Sequence, residues 1–146
     1  MPTDIQKAKQ ICFDNGQKLT PIRETVLDIL MRSELPMSAY DILDKYREGH
    51  AQGAQPPTIY RALSFLEENG LVHRMASTRQ FVVCDHIGQH HCCDVTQFFI
   101  CDECGAIEEG IISSKLMAEV NQQAKKIGFK VNQPSLEIHG ICKACQ

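Results

Sequence analysis

Apolar residues in the first seventy positions recur at helical spacing, and the intervals between carry residues that start and stop helices. Ile5, Ala8, Ile11 and Cys12 line one side of a helix predicted over 4–14, with Gly16 as its stop. Cys12 lies on that apolar stripe and reads as core packing. Thr20-Pro21 opens a second helix, with Thr20 as N-cap, Pro21 in the first helical position and Val26, Leu27, Leu30 and Met31 facing inward. Arg23 and Glu24 in its first turns read as solvated, a phosphate contact being the alternative. Ser38 opens a third helix over 39–47, with Ile42, Leu43 and Tyr46 inward and Tyr40 placed to reach out of the core. A Gly/Gln/Pro-rich loop over 49–57 follows. Thr58 is expected to cap a fourth helix, Ile59 to Asn69, that Gly70 ends. Its stripe of Ile59, Leu63 and Leu66 leaves Tyr60, Arg61 and Ser64 exposed.

After Gly70 the pattern turns extended: Leu71 to Ser77, a turn at Thr78-Arg79, then Gln80 to Cys84. Helices followed by a hairpin predict a winged helix-turn-helix, whose last helix enters the major groove with its N-terminal residues on the bases. Arg61 suits a bidentate guanine contact, Tyr60 a phosphate or thymine methyl, and Arg74 and Arg79 the backbone beside the wing. The remainder is a second, smaller unit. Phe98 to Ile100 and Ala106 to Ile112 read as strands, 113–127 as a helix, and Phe129 to Ile138 as an edge strand interrupted by Pro134. The helix stripe of Leu116, Met117, Val120, Ala124 and Ile127 has little of its own chain to cover it, which predicts a two-fold dimer. The expected class is α+β: a winged-helix domain over 1–83, a hinge over 84–94, and a small α/β dimerisation domain over 95–146.

Charge sharpens this division. Residues 1–80 hold ten basic and ten acidic side chains, and 81–146 hold five and eight, so any DNA contact must come from a local patch in the first half. No apolar run is long enough for a membrane span and no signal-peptide pattern opens the chain, so the expected location is the cytoplasm. Eight cysteines in a reducing compartment point to metal rather than disulfides. Four of them form two Cys-x-x-Cys turns, Cys101/Cys104 and Cys142/Cys145, separated by 37 residues. Two such turns supply four thiolates to a closed tetrahedral zinc that staples a unit too small for a large core.

A second metal site is expected at the joint. With Thr78-Arg79 as turn residues, His73 falls directly opposite Cys84. Downstream lie His90, His91, Cys92 and Cys93, and past the first cysteine pair Glu108 and Glu109. A set of imidazole, thiolate and carboxylate suits zinc. His50 reads as solvated, and His139 as a structural hydrogen-bonder rather than a ligand.

Taken together, these segments resemble the ferric uptake regulator family, in its zinc-uptake branch. The resemblance spans nearly the whole chain and rests on Leu19-Thr20-Pro21-x-Arg23, Ser38-Ala39-Tyr40-Asp41-Ile42-Leu43, and Pro56-Pro57-Thr58-Ile59-Tyr60-Arg61-Ala62-Leu63. It continues through Gly70-Leu71-Val72-His73, Cys101-x-x-Cys104-Gly105 and His139-Gly140-Ile141-Cys142-x-x-Cys145. It implies a dimeric, metal-dependent repressor. The four paired cysteines match the structural zinc, and His73, Cys84 and Glu109 match three regulatory ligands. The third position of that set falls in a segment slightly longer than usual, where His91 is chosen and His90 and Cys93 are alternatives. Tyr40 and Arg61 match base-contacting positions, while Asp44 and Arg47 match positions that pair two dimers on one operator. The His-His-His-Asp-His run usual in iron-sensing relatives is missing, which with a thiolate at Cys84 favours zinc over ferrous iron.

The function expected is a zinc-responsive repressor of zinc-uptake genes that binds double-stranded operator DNA as a homodimer. Each subunit would hold two zincs, and the protein would take no small-molecule substrate and catalyse no reaction. The DNA-facing set is Tyr40, Thr58, Tyr60, Arg61, Ser64, Arg74 and Arg79. An iron-, manganese- or peroxide-responsive member of the same family is the nearest alternative. A zinc hydrolase, deaminase or zinc buffer is more remote, because the deaminase His-x-Glu…Pro-Cys-x-x-Cys pattern is missing.

Overall fold

Capping and proline placement set the helices of the first half. In the computed structural model, which describes residues 3–85, 87, 96–132 and 135–146, α1 spans Asp4–Asp14. Thr3 caps it through a reciprocal box with Gln6. The second helix, α2 (Pro21–Met31), begins after Thr20, which has the extended cap backbone but makes no side-chain cap bond. Ser38 and Asp41 form a full capping box on α3 (Ala39–Gly49). The fourth helix, α4 (Pro56–Glu68), starts two residues before the expected Thr58 cap, with Gln55 at the cap position. Pro56 and Pro57 are the reason: a fixed φ and a missing N–H suit the first helical turn, where that donor has no intrahelical partner. Thr58 therefore sits inside the first turn.

These helices close on one core. Val26, Leu27, Leu30, Ile42, Leu43, Ile59, Leu63, Leu66, Leu71 and Val72 are all buried, and Ala8 and Cys12 join them from α1. Cys12 is thus packed as expected, and burial raises its thiol pKa above the usual value, partly offset by Arg23.

The hairpin that follows pairs β1 (Val72–Arg74) with β2 (Phe81–Val83), antiparallel. Its register differs from the expected one by two residues. His73 lies opposite Val82, and the backbone of Cys84 bonds to Leu71. A two-residue turn at Thr78-Arg79 would need left-handed backbone at a β-branched threonine. Instead a longer loop closes with Met75 N on Gln80 O and Arg79 N on Met75 O, both 2.8 Å, and only Arg79 takes positive φ (56°). Met37 bridges to Phe81 and gives the wing a third short edge.

The chain divides into two units, residues 1–90 and 91–146. The second contains β3 (Thr96–Cys101), β4 (Ile107–Ile111), α5 (Ser114–Lys126), β5 (Ser135–Gly140) and a final 3₁₀ turn. The sheet order is β4-β3-β5, with β4 antiparallel and β5 parallel to β3. The expected third strand begins only at Ser135, and Pro134 lies outside the described residues. Ser113 caps α5, yet none of its residues is buried. No helix among the described residues is long and apolar enough to cross a membrane.

Candidate functional site

Parallel pairing of β3 with β5 explains how two cysteine pairs so far apart in sequence meet. Cys101 lies beside Gly140 in the register, so both strands end at the same edge of the sheet and Cys142 follows two residues later. The first pair occupies the β3–β4 turn, where Cys101 N bonds to Ala106 O and Gly105 N to Cys101 O, both 2.9 Å. Gly105 has φ 76°, a left-handed backbone that lets the chain leave the turn without a Cβ clash. The second pair wraps the closing 3₁₀ turn, Lys143–Cys145. The four sulfurs lie within 4.8 Å of one another.

Their spacing fits zinc. Cys104 Sγ and Cys142 Sγ are 3.8 Å apart, and the edge of a tetrahedron of sulfurs about 2.3 Å from zinc is about 3.8 Å. The four cysteines form no disulfide. Backbone donors are already turned toward the cluster: Cys142 N is 3.3 Å from Cys101 Sγ. That N–H, and next the one of Cys104, draws the Cys101 thiol down to about 6. Cys145 is pushed up to about 12, chiefly because its protonated thiol is hydrogen-bonded to Cys142 and Cys104, with the charge of Cys101 adding to the cost of a further thiolate. Four sulfurs that cannot all ionise alone are what a dication resolves. Asp102 Oδ1 sits 2.9 Å from His139 Nδ1, and Asp102 N bonds to Gly140 O, so the first turn is laced to β5. His139 is therefore a structural hydrogen-bonder, as its position beside the cysteine pair suggested.

In the first unit, the observed register puts His73 and Cys84 one diagonal step apart on the same face of the wing, both half-buried. A ring nitrogen of His73 and the Cys84 sulfur lie within 4.8 Å of each other. Direct opposition was expected; the diagonal gives the pair its reach without it. Glu109 is half-buried on β4, opposite Phe98. His90, His91, Cys92 and Cys93 lie outside the described residues.

The residues expected to face DNA are all on the first unit's exterior. Tyr40 in the first turn of α3 is 61% exposed and Tyr60 45%. Arg61 and Ser64 on α4 and Arg74 and Arg79 on the wing are exposed, and Thr58 is half-buried. The positive end of the α4 dipole adds to the attraction of a phosphate there. Two basic residues make specific contacts within the first unit. Arg23 is half-buried: its guanidinium carbon lies 3.7 Å over the Phe65 ring, and Nη1 donates to Lys18 O at 2.9 Å. Arg47 donates from Nε to Ala54 O at 2.9 Å, bracing the loop that leads into α4. Sequence reasoning also missed Asn69, a buried amide bonded to Asn15 and Gln17. Its only signal was a polar residue at the end of an apolar helix face.

Comparison with known proteins agrees with this geometry. The profile of the "Ferric uptake regulator family" matches residues 14–139. The chain is 39% identical over 141 residues to the "Zinc uptake regulation protein" of Escherichia coli (strain K12), covering 97% of this chain and 80% of that protein. A solved structure of a "Zinc Uptake Regulator Complexed With Zinc AND DNA" superposes with TM-score 0.89 at 37% identity, over 99% of this chain and 96% of that one. That of "holo XcZur" superposes with TM-score 0.83 at 36% identity, over 97% and 95%.

Proposed function

This chain belongs to the ferric uptake regulator family, and from that premise we propose that it is a zinc-responsive transcriptional repressor of zinc-uptake genes. The observation that carries the reading is similarity over 97% of the chain to a zinc uptake regulator, in a chain whose own donors are arranged for zinc. It works on DNA in the cytoplasm and has no catalytic step.

In this reading each subunit uses zinc twice. The four cysteines of the second unit form the structural site, supported by their mutual spacing and the 3.8 Å sulfur edge. His73, Cys84, His91 and Glu109 form the regulatory site, supported by the closeness of His73 to Cys84 on the wing. Zinc bound there supplies a redox-inert dication that holds mixed nitrogen, sulfur and oxygen donors. His73 and Cys84 belong to the DNA-reading unit, and His91 with Glu109 to the dimerisation half. Joined through one ion, these residues fix the angle between the two units. In a dimer that angle sets the spacing of two α4 helices to successive major grooves. A preference of a few kcal/mol for the fixed form changes operator occupancy by orders of magnitude.

The dimer is supported by α5, whose apolar stripe includes Leu116 at 43% exposure and continues to the C-cap Ile127 at 80%. A second copy covers such a face. Base contacts fall to Tyr40 and to Thr58, Tyr60, Arg61 and Ser64 of α4, and backbone contacts to Arg74 and Arg79. Two dimers on one operator pair through Asp44 and Arg47. The Nε of Arg47 is held by Ala54 O, and its terminal nitrogens remain for a carboxylate.

Zinc counting tests this assignment. The wild-type chain, dialysed against weakly buffered zinc, should retain two zincs per subunit, and Cys84→Ser or His91→Ala one. Variants that keep both, or a wild type that takes up only one, would contradict the regulatory site.

A further inference from the structure

We infer that the turn from Asn15 to Arg23 seats the reading helix α4, making Asn69 and Arg23 positioning residues for base recognition. The inference rests on the DNA-reading role proposed for α4. Two independent features carry it. Asn69 is the buried polar residue among those described, at 8% exposure. Its Oδ1 accepts from Asn15 Nδ2, and its Nδ2 donates to Gln17 Oε1 and to Phe65 O, all at 2.9 Å. Phe65 lies one helical turn earlier on the same face, and there the Arg23 guanidinium covers its ring at 3.7 Å while its other end is tied to Lys18 O.

Both anchors thus run from the α1–α2 connection and the first turn of α2 to the C-terminal half of α4, beyond Thr58, Tyr60 and Arg61 at its start. The apolar stripe of α4 supplies burial, which has no preferred direction, whereas amide bonds and a stacked guanidinium hold a helix at one tilt. Leverage makes tilt matter. Arg61 lies eight residues before Asn69, about 12 Å along the axis. A rotation of about 5° at the anchors moves the Arg61 backbone by about 1 Å, enough to take a bidentate base contact out of hydrogen-bond range. Asn69 is buried and Arg23 is tied to Phe65 and Lys18, so the role assigned to both is to hold α4, and a salt series separates that role from a phosphate contact.

The test begins with a duplex recovered from a randomised pool by the zinc-loaded wild-type chain. Wild type, Asn69→Leu, Arg23→Lys and Gln17→Ala are then measured against that duplex and a scrambled one across a salt series. Asn69→Leu fills the site and leaves the amides of Asn15 and Gln17, both exposed residues, to water, and Gln17→Ala changes an exposed residue, so folding is retained and checked by helical circular dichroism. The expected result is a loss of affinity for the selected duplex of about tenfold or more, the scale of one base contact. Zinc content, scrambled-duplex affinity and the salt slope should stay at wild-type values. Wild-type ratios of selected to scrambled binding in the variants overturn the inference. So does an equal loss on both duplexes with a salt slope reduced by about one, which marks a phosphate contact. A pool that yields no zinc-dependent duplex overturns the functional reading, and this inference with it.

Discussion

Replacing Cys104 by serine should unfold the second unit while leaving the first intact. Among the described residues of that unit, the buried apolar side chains are Phe98, Ile100 and Ile112, together with the ligand Cys101 itself. At about 2 kcal/mol each, the three contribute about 6 kcal/mol, whereas structural zinc sites of this kind contribute roughly 10–16 kcal/mol. Losing one of four thiolates breaks the closed tetrahedral site, and a variant that releases its zinc forfeits that whole contribution. The loss exceeds what the three apolar side chains supply, so the unit does not stay folded without the metal. The first unit has its own core, from Ala8 through Leu71 and Phe81, and holds no member of the cysteine cluster. Limited proteolysis of the full-length chain, with fragments identified by mass, reads the two units separately. Colorimetric zinc release under denaturing conditions reads the metal. Cys104→Ser should lose structural zinc and be cleaved throughout 96–146, with a resistant fragment covering 3–85. A variant that keeps its zinc and the wild-type cleavage pattern, or that loses both units together, would refute the reasoning.

Other substitutions probe different links. Arg79→Gly relieves a left-handed backbone at the wing tip, so it should raise first-unit stability by about 1 kcal/mol in urea unfolding while weakening binding to any duplex. His139→Ala breaks the bond to Asp102 but removes no proposed sensor ligand, so DNA binding should keep its zinc dependence, whereas His73→Ala should lose it. Cys12 has a folded pKa raised by burial, so its neutral form contributes stability that is complete below the usual thiol value of 9.0 and drains as pH rises beyond it. Unfolding of Cys12→Ala followed from pH 7 to 11 should lack that part of the alkaline decline. Asp44→Ala should leave single-dimer affinity unchanged and abolish cooperative footprints of two dimers. Unaltered cooperativity would remove Asp44 and Arg47 from the assembly.

What was legible in the sequence was local. The α1 boundaries and the starts of α2 and α3 follow from caps and 3.6-residue periodicity, and the cysteine turns from their spacing alone; α3 runs on to Gly49, two residues past the expected end, into the segment read as loop. Where competing local signals met, reading was harder: Thr58 is a good cap, but Pro56 and Pro57 prefer the first helical turn and pull α4 earlier. The wing register depended on a loop whose geometry is set by one left-handed arginine, and a two-residue shift kept His73 and Cys84 on the same face. Even register shifts preserve the face a side chain points to, which is why the closeness of His73 to Cys84 survived the error. Arg23 on Phe65 and Asn69 on Asn15 and Gln17 are tertiary contacts with no sequence periodicity behind them.

Zinc-dependent DNA binding is the claim on which the rest depends, and fluorescence anisotropy of an operator duplex tests it with free zinc, ferrous iron and manganese each buffered separately. Wild type should bind only as zinc rises, and Cys84→Ser should fail to respond while retaining its four-cysteine zinc. Binding that ignores metal, that prefers ferrous iron, or that persists unchanged in Cys84→Ser would contradict the account.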